Sequence, residues 1–153
     1  MPAAFSWQFA PFSALSAEAL HRILALRAEV FVVEQHCPYA DPDAKDRVSH
    51  HLWAVDEGGE VVAVARVVPP GVSYAEPSIG RVATASQVRG TGLGRELMDR
   101  ALMHAAQCYP GADVVISAQH YLLRFYRELG FQPEGDVYDE DGIPHIQMRK
   151  TSN

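Results

Sequence analysis

Glycines 90, 92 and 94 in Ser86–Leu97, SQVRGTGLGREL, stand on alternate positions directly before a run of helix formers. A helix N-terminus carries unpaired N–H groups and a partial positive charge, so a loop without side chains placed there can cradle a phosphate or pyrophosphate with bare backbone. The same residues could instead make an ordinary strand-to-helix turn, because short glycine motifs also recur without a ligand. Spacing argues against the two commonest nucleotide loops. A triphosphate loop needs Lys and then Ser or Thr after its last glycine, whereas Gly94 is followed by Arg95 and Glu96. A dinucleotide loop needs G-x-G-x-x-G early in the chain and an acidic residue ending the next strand. Here the spacing is G-x-G-x-G, and the next strand ends in SAQH.

The elements that must hold this loop can be read around it. Ser16 is a helix cap for SAEALHRILALRAEVF, whose Leu20, Ile23, Leu24, Leu26 and Val30 form an apolar stripe with Glu18 in the first turn. FSWQFA before it alternates like a strand. Val32–Ser49 carries two prolines and four acids and reads as a short helix or a loop. HLWAVDEGGEVVAVARVV is a hairpin joined through Gly58-Gly59, and IGRVAT is a third strand ending just before the glycines. A helix over Leu93–Cys108, a strand over Asp113–Ala118, a helix over Tyr121–Leu129 and two strands around a turn at DEDG complete the chain. This order gives an α/β protein with a mixed central sheet.

A length of 153 residues fits one domain, 1–153, without repeats or a low-complexity linker. Thirteen Lys and Arg against 19 Asp and Glu give a formal charge of −6, which opposes a sequence-independent grip on nucleic acid and would attract a cationic molecule or peptide. MPAAFSWQFAPF has neither a basic start nor a sustained apolar run, no window approaches a membrane span, and the two cysteines lie far apart. The expectation is a cytoplasmic protein with free thiols and no membrane partner.

With these elements in place, RGTGLG, Arg89 to Gly94, resembles the R/Q-x-x-G-x-G/A acetyl-CoA signature of the GNAT superfamily of N-acetyltransferases. FYRELGF, Phe125 to Phe131, resembles its second signature. Gln87-x-x-Gly90-x-Gly92 also fits the first pattern; the Arg89 register puts Leu93 and the helix where the family has them. RAEVFVVEQHCPYADPDAKD, HLWAV, IGRVAT and YDEDGIPHIQM are together similar to the ElaA-like branch, over nearly the whole chain from Phe5 to Met148.

The resemblance implies an α/β (α+β) fold: a mixed, mostly antiparallel sheet of six to seven strands flanked by helices and splayed between strands 4 and 5. It also implies an acetyl-CoA-dependent N-acetyltransferase acting on a small-molecule or peptide amine, and it leaves room for a homodimer. Val82, Ala83 and Thr84 would pair through their backbone with the pantetheine arm, and an amide of this strand would polarise the thioester carbonyl. Amides of Arg89, Gly90, Thr91, Gly92, Leu93 and Gly94 would hold the pyrophosphate, with Arg89 or Arg95 adding charge. Gln119 stands where many relatives have an Asn that contacts the cofactor. Tyr126 occupies the general-acid position, and a phenol is a donor at neutral pH; the plainer reading is a tyrosine packed beside Phe125 and Leu129.

The chemistry so implied is direct acyl transfer. The amine must become neutral to attack, the developing oxyanion needs a preorganised donor, and the thiolate needs a proton as it leaves. Several relatives keep a Glu near the start of the fifth strand, where this chain has Val114. The base is therefore open among Glu34, His50, His51, His120, Asp139, Glu140 and His145, directly or through water. Glu34 is expected more as an ion pair with Arg66 or Arg81, or as a substrate anchor, than as the base. Only one of His50 and His51 can face a cleft. The spacing of His36, Cys37, Asp41 and Asp43 matches no common zinc pattern. The acids of DPDAKD and YDEDG form either an electronegative rim or a solvated surface. Two other functions stay open beside N-acetylation: an acyl-CoA-binding sensor without catalysis, and acyl transfer to oxygen.

Overall fold

The computed structural model describes residues 4–152, so the first three residues of the segment read above for a leader lie outside the described residues. The elements follow in the order β1 (Ser6–Pro11), α1 (Ala17–Arg27), β2 (His50–Val55), β3 (Val61–Val68), β4 (Ser78–Thr84), α2 (Leu93–Cys108), β5 (Val114–Gln119), α3 (Leu123–Glu128), β6 (Gln132–Glu140) and β7 (Ile143–Lys150). Ser16 caps α1 by accepting the Ala19 amide at 3.0 Å, as its position in the sequence predicts. The helix does not stay α through Phe31. From Ala28 to Glu34 it widens into a π-helical turn, where the run Val30-Phe31-Val32-Val33 loses side-chain freedom in an α-helix. The helix expected over Tyr121–Leu129 is also shorter: a 3-10 turn over His120–Leu122 precedes α3.

The strands form two antiparallel sheets, β1-β2-β3-β4 and β5-β7-β6. The seams face each other at β4 and β5. The Val115 amide donates to the Pro77 carbonyl at 3.1 Å where both strands begin; beyond that point no ladder joins them, and they diverge as the resemblance implies. Leu93, Leu97, Met98, Ala101 and Ala105 of α2 are buried against the sheet and hold the crossover between the two strands. β4 also carries a bulge. Its register with β3 steps from Ala83–Val64 to Gly80–Arg66, so three steps of β4 span two of β3, and Arg81 takes a left-handed φ of 49° there.

Arg81 is held in that conformation by a buried network that joins α1, β3, β4 and the loop before β2. Arg27, the last residue of α1 and 1% exposed, places Nε 2.8 Å from Asp41 Oδ2 and Nη1 2.7 Å from Asp46 Oδ1. Arg66 Nη1 lies 2.6 Å from Asp43 Oδ1 and 2.8 Å from Asp46 Oδ1. Arg81 Nε sits 2.8 Å from Asp41 Oδ1 as an ion pair whose N–H does not point along the contact, while its Nη2 donates to the Asp41 carbonyl at 3.0 Å. Three guanidinium groups thus balance three carboxylates. Two sequence expectations are corrected here. The partners of Arg66 and Arg81 are Asp41, Asp43 and Asp46 rather than Glu34, and the acids of DPDAKD line the interior of the loop instead of a rim, because buried arginines need compensating charge.

Asp46 is the hub of this network. Burial would raise its carboxyl, but the hydrogen bonds and charge of Arg27, the Asp43 amide and Arg66 outweigh burial and hold it down to about 2. Its contribution is present above the ordinary carboxylate range and is lost as pH falls from about 4 through about 2. Asp46→Ala takes one of two carboxylate partners from each of two buried guanidinium groups, leaving the cluster one negative charge short, and is expected to cost about 3 kcal/mol in urea unfolding at pH 7. That penalty should shrink when the unfolding is repeated toward pH 2.

Candidate active site

A cleft of about 780 Å³ opens where β4 and β5 diverge. Its β4 wall is Ser78 to Thr84, and Ile116, Ser117 and Gln119 of β5 face it. β4 and β5 are edge strands of their own sheets, so backbone donors and acceptors are free along the seam for a ligand that carries amides. At one end the strand runs into the glycine loop. Gly90 and Gly92 adopt φ of 81° and 86°, and Gly92 caps α2, so the helix begins at Leu93 as the Arg89 register predicts. A Cβ on Gly90, Gly92 or Gly94 would meet nothing within 4 Å, which leaves open space above a helix N-terminus. The chain therefore has the parts that a long ligand with a pyrophosphate would need.

Glu34, Val82, Ala83, Thr84, Arg89, Gly94, Gln119 and Tyr126 all line this one cleft, although the sequence spreads them over three stretches. Gly90, Thr91, Gly92 and Leu93 form the loop at its end, with the Leu93 side chain buried in the core and the Thr91 hydroxyl donating to the Val88 carbonyl at 2.5 Å. Arg95 points elsewhere, 3.8 Å from Glu128 on α3. Arg89 donates to Glu34 at 2.7 Å and to the Thr84 carbonyl at 2.8 Å, so the π-helical turn is fastened to the glycine loop. Glu34 thus has an arginine partner, but a different one from those the sequence suggested. The side-chain amides of Gln119 and Gln35 face each other at 3.4 Å across the cleft.

Tyr126 is 7% exposed, with its ring edge-on to Phe125 and Phe131 at centroid distances of 5.2 and 5.9 Å. Burial, helped by Tyr121, pushes its phenol up to about 12. The phenol therefore stays protonated at neutral pH.

A further wall comes from the hairpin of β6 and β7, through Glu140, Asp141, Ile143 and His145, and from Tyr39 and Tyr74. Ser117 and Tyr138 share a short hydroxyl contact, and burial followed by Tyr138 and Glu140 pushes the Tyr74 phenol up to about 12. Sequence reasoning missed this hydroxyl group, because the register of β5, β7 and β6 places residues 117 and 138 and the irregular loop before β4 brings in residue 74. Other candidates are placed away from the cleft: His51 is buried and donates Nε2–H to the Asp46 carbonyl at 2.9 Å, and His50 stacks on Phe9. Asp41 and Asp43 are taken up by arginines, and Cys37 Sγ donates to the Asp141 carbonyl at 3.3 Å. Among the described residues, no helix is long and apolar enough to cross a membrane.

Two splayed antiparallel sheets, a glycine loop opening a helix after the fourth strand, and a cleft between the fourth and fifth define an acyl-CoA acyltransferase fold. The acetyltransferase (GNAT) domain profile matches residues 14–152, so the chain belongs to that family, and its relatives place it in the ElaA-like branch. It is similar to a UPF0039 protein of Synechocystis, 46% identical over 143 residues that cover 94% of this chain and 93% of the relative. The crystal structure of an acyl-CoA N-acyltransferase from Pseudomonas aeruginosa superposes with a TM-score of 0.92 at 40% identity, covering 97% of this chain and 100% of that one. Escherichia coli ElaA superposes at 0.90 and 38% identity, covering 96% and 99%. The protein is an acyltransferase, and acetyl-CoA is its co-substrate.

Tyr126 supplies a direct check on the site's electrostatics. In ultraviolet difference titration, the phenolate signal absent from Tyr126→Phe should have its midpoint near pH 12, against about 10 for a free tyrosine.

Proposed function

We propose that this chain transfers the acetyl group of acetyl-CoA directly to an amine of a small molecule or peptide. The observation that carries this reading is the single cleft in which free strand edges, a glycine loop and a buried phenol converge. Acetyl-CoA would supply an acyl carbon already activated as a thioester. Val82, Ala83 and Thr84 would hold its amide-bearing arm by backbone hydrogen bonds, and the bulge at Arg81 and Val82 would turn an amide toward the acyl oxygen. Backbone N–H groups from Arg89 to Gly94 would grip the pyrophosphate, with the charge of Arg89 beside them and Arg95 at the rim. Gln119 would hold the arm from the β5 side.

Tyr126 would donate its proton to the departing sulfur. Its raised ionisation keeps the phenol protonated at neutral pH, so it is available to hydrogen-bond to the developing thiolate and give up the proton as the C–S bond breaks. Glu34 would act as an anchor rather than a base, because its charge is engaged by Arg89 while the carboxylate still faces the cleft. A carboxylate there favours a cationic acceptor.

Two variants separate binding from turnover. Gly92→Val brings a side chain into the proposed cradle and a β-branched residue to φ 86°. Losing two charge-assisted hydrogen bonds should weaken CoA binding on the order of a hundredfold in calorimetric titration; unchanged affinity would remove the loop from the site. Tyr126→Phe should lower turnover about a hundredfold and leave CoA affinity within about twofold. The reaction itself is tested by mass spectrometry of a mixed amine and alcohol pool with acetyl-CoA. N-acetyl products are expected; O-acetyl products alone, or binding without acceptor-dependent CoA release, would contradict the reading.

A further inference from the structure

We infer that His145 is the proton acceptor for the incoming amine and that Glu140 is its positioning residue, an inference that rests on the transfer reading above. His145 sits on β7 opposite Gln119, the last residue of β5, and lines the same cleft as Tyr126 and the β4 bulge. Its ring is 6% exposed and is stacked on Tyr138 at 6.1 Å. Nδ1 lies 2.7 Å from the Ile143 carbonyl, and Nε2 lies 3.2 Å from Glu140 Oε2.

Only the Ile143 carbonyl meets the ring in hydrogen-bond geometry, whereas the Glu140 carboxylate lies beside Nε2 as a charge contact, and this difference decides the tautomer. A carbonyl oxygen takes only a proton, so Nδ1 carries the N–H and Nε2 of the neutral ring keeps its lone pair, with a carboxylate beside it rather than in line with it. The ring can then take a proton on Nε2, and the Glu140 carboxylate 3.2 Å away offsets the positive charge so formed. That is the arrangement of a base whose tautomer a backbone carbonyl sets and whose charged form a neighbouring carboxylate stabilises. Glu140 is about half exposed and belongs to the hairpin tip, so an ammonium or a single bridging water can reach Nε2 from the cleft.

The other candidates are engaged elsewhere. Glu34 is paired with Arg89, His51 with the Asp46 carbonyl, and Asp139 with the Gly142 amide, while His50 is stacked on Phe9; none but Glu34 lines the cleft, and His120 is exposed outside it. Val114, which stands where relatives keep a Glu, is buried in β5. In the step so drawn, an acceptor ammonium gives one proton to His145 Nε2, which later passes it to solvent. As the C–N bond forms and the C–S bond breaks, the nitrogen loses a second proton to water. Tyr126 gives one to the sulfur and is reprotonated from solvent.

The test has one arm that needs no turnover. Long-range proton–nitrogen correlation spectra of the protein at pH 8.5 should show His145 with its proton on Nδ1. The resonance is assigned by its loss in His145→Gln or, should that variant not fold, by its displacement in Glu140→Gln. A proton on Nε2 would overturn the inference. In the second arm, CoA release is followed with acetyl-CoA and a pool of putrescine, tyramine, glucosamine and a short peptide with a free N-terminus. His145→Gln should lose about a hundredfold in kcat at unchanged acetyl-CoA affinity and regain part of it with added imidazole, and Glu140→Gln should lose about tenfold. A loss under about threefold in His145→Gln, with wild-type transfer intact, overturns the base alone. No release by the wild type overturns the transfer reading and the base with it.

Discussion

The balanced network of Arg27, Arg66 and Arg81 with Asp41, Asp43 and Asp46 is the constraint on which the cleft depends. It joins four segments that a hydrophobic core alone would leave free to slide: the end of α1, the loop over 41–48, β3 and the bulged stretch of β4. Hydrophobic contact is non-directional, whereas a guanidinium between two carboxylates fixes both distance and angle. The cost is desolvation of six charges, tolerable because each arginine meets at least two carboxylates. Tyr39 adds a hydroxyl bond to Asp41 at 2.9 Å and lies 5.7 Å under the Arg81 guanidinium. The network thus reaches the wall of the cleft, and the left-handed Arg81 is held by the charges that surround it.

From that constraint the division of labour in the cleft follows. Two sheets that meet only at their starting ends must leave unpaired backbone along the opening, and unpaired backbone is an apt surface for a ligand with an amide-bearing arm. Charge is distributed along the same opening. The end with the glycine loop offers a helix N-terminus and Arg89, the latter paired with Glu34, while Glu140 and Asp141 bring carboxylates to the hairpin side of the lining and suit an ammonium. A buried phenol and a carboxylate-backed imidazole line the space between them. In the proposed transfer, proton donor and proton acceptor are distinct groups, so neither has to change role within a turnover.

Much of this was legible in the sequence, for reasons that differ by residue. Leu93–Cys108 was read to the residue, because Gly92 needs a left-handed φ and the apolar stripe behind it has helical period. The hairpin, read over His51–Val68 and observed from His50, was visible in its β-branched runs and the Gly58-Gly59 turn. The glycine loop and Tyr126 were reached through spacing and resemblance. The partners of Arg66 and Arg81 were not, because an ion pair between residues 66 and 43, or 81 and 41, leaves no periodic trace, and a loop rich in Asp and Pro looks solvated. The π-helical turn at Ala28–Glu34 was also hidden, since its residues fit an α pattern until the register is seen. His145 could be named only as one base among seven; what distinguishes it is the pair of acceptors around its ring, which the β6–β7 turn alone creates.

The most direct measurement of the central claim is a crystal structure of the protein with CoA bound. The account places the pyrophosphate against the amides of residues 89–94, the pantetheine arm along Val82–Thr84, and the thiol within hydrogen-bond reach of the Tyr126 hydroxyl. A pyrophosphate seated away from the α2 N-terminus, or a thiol directed away from Tyr126, would contradict it.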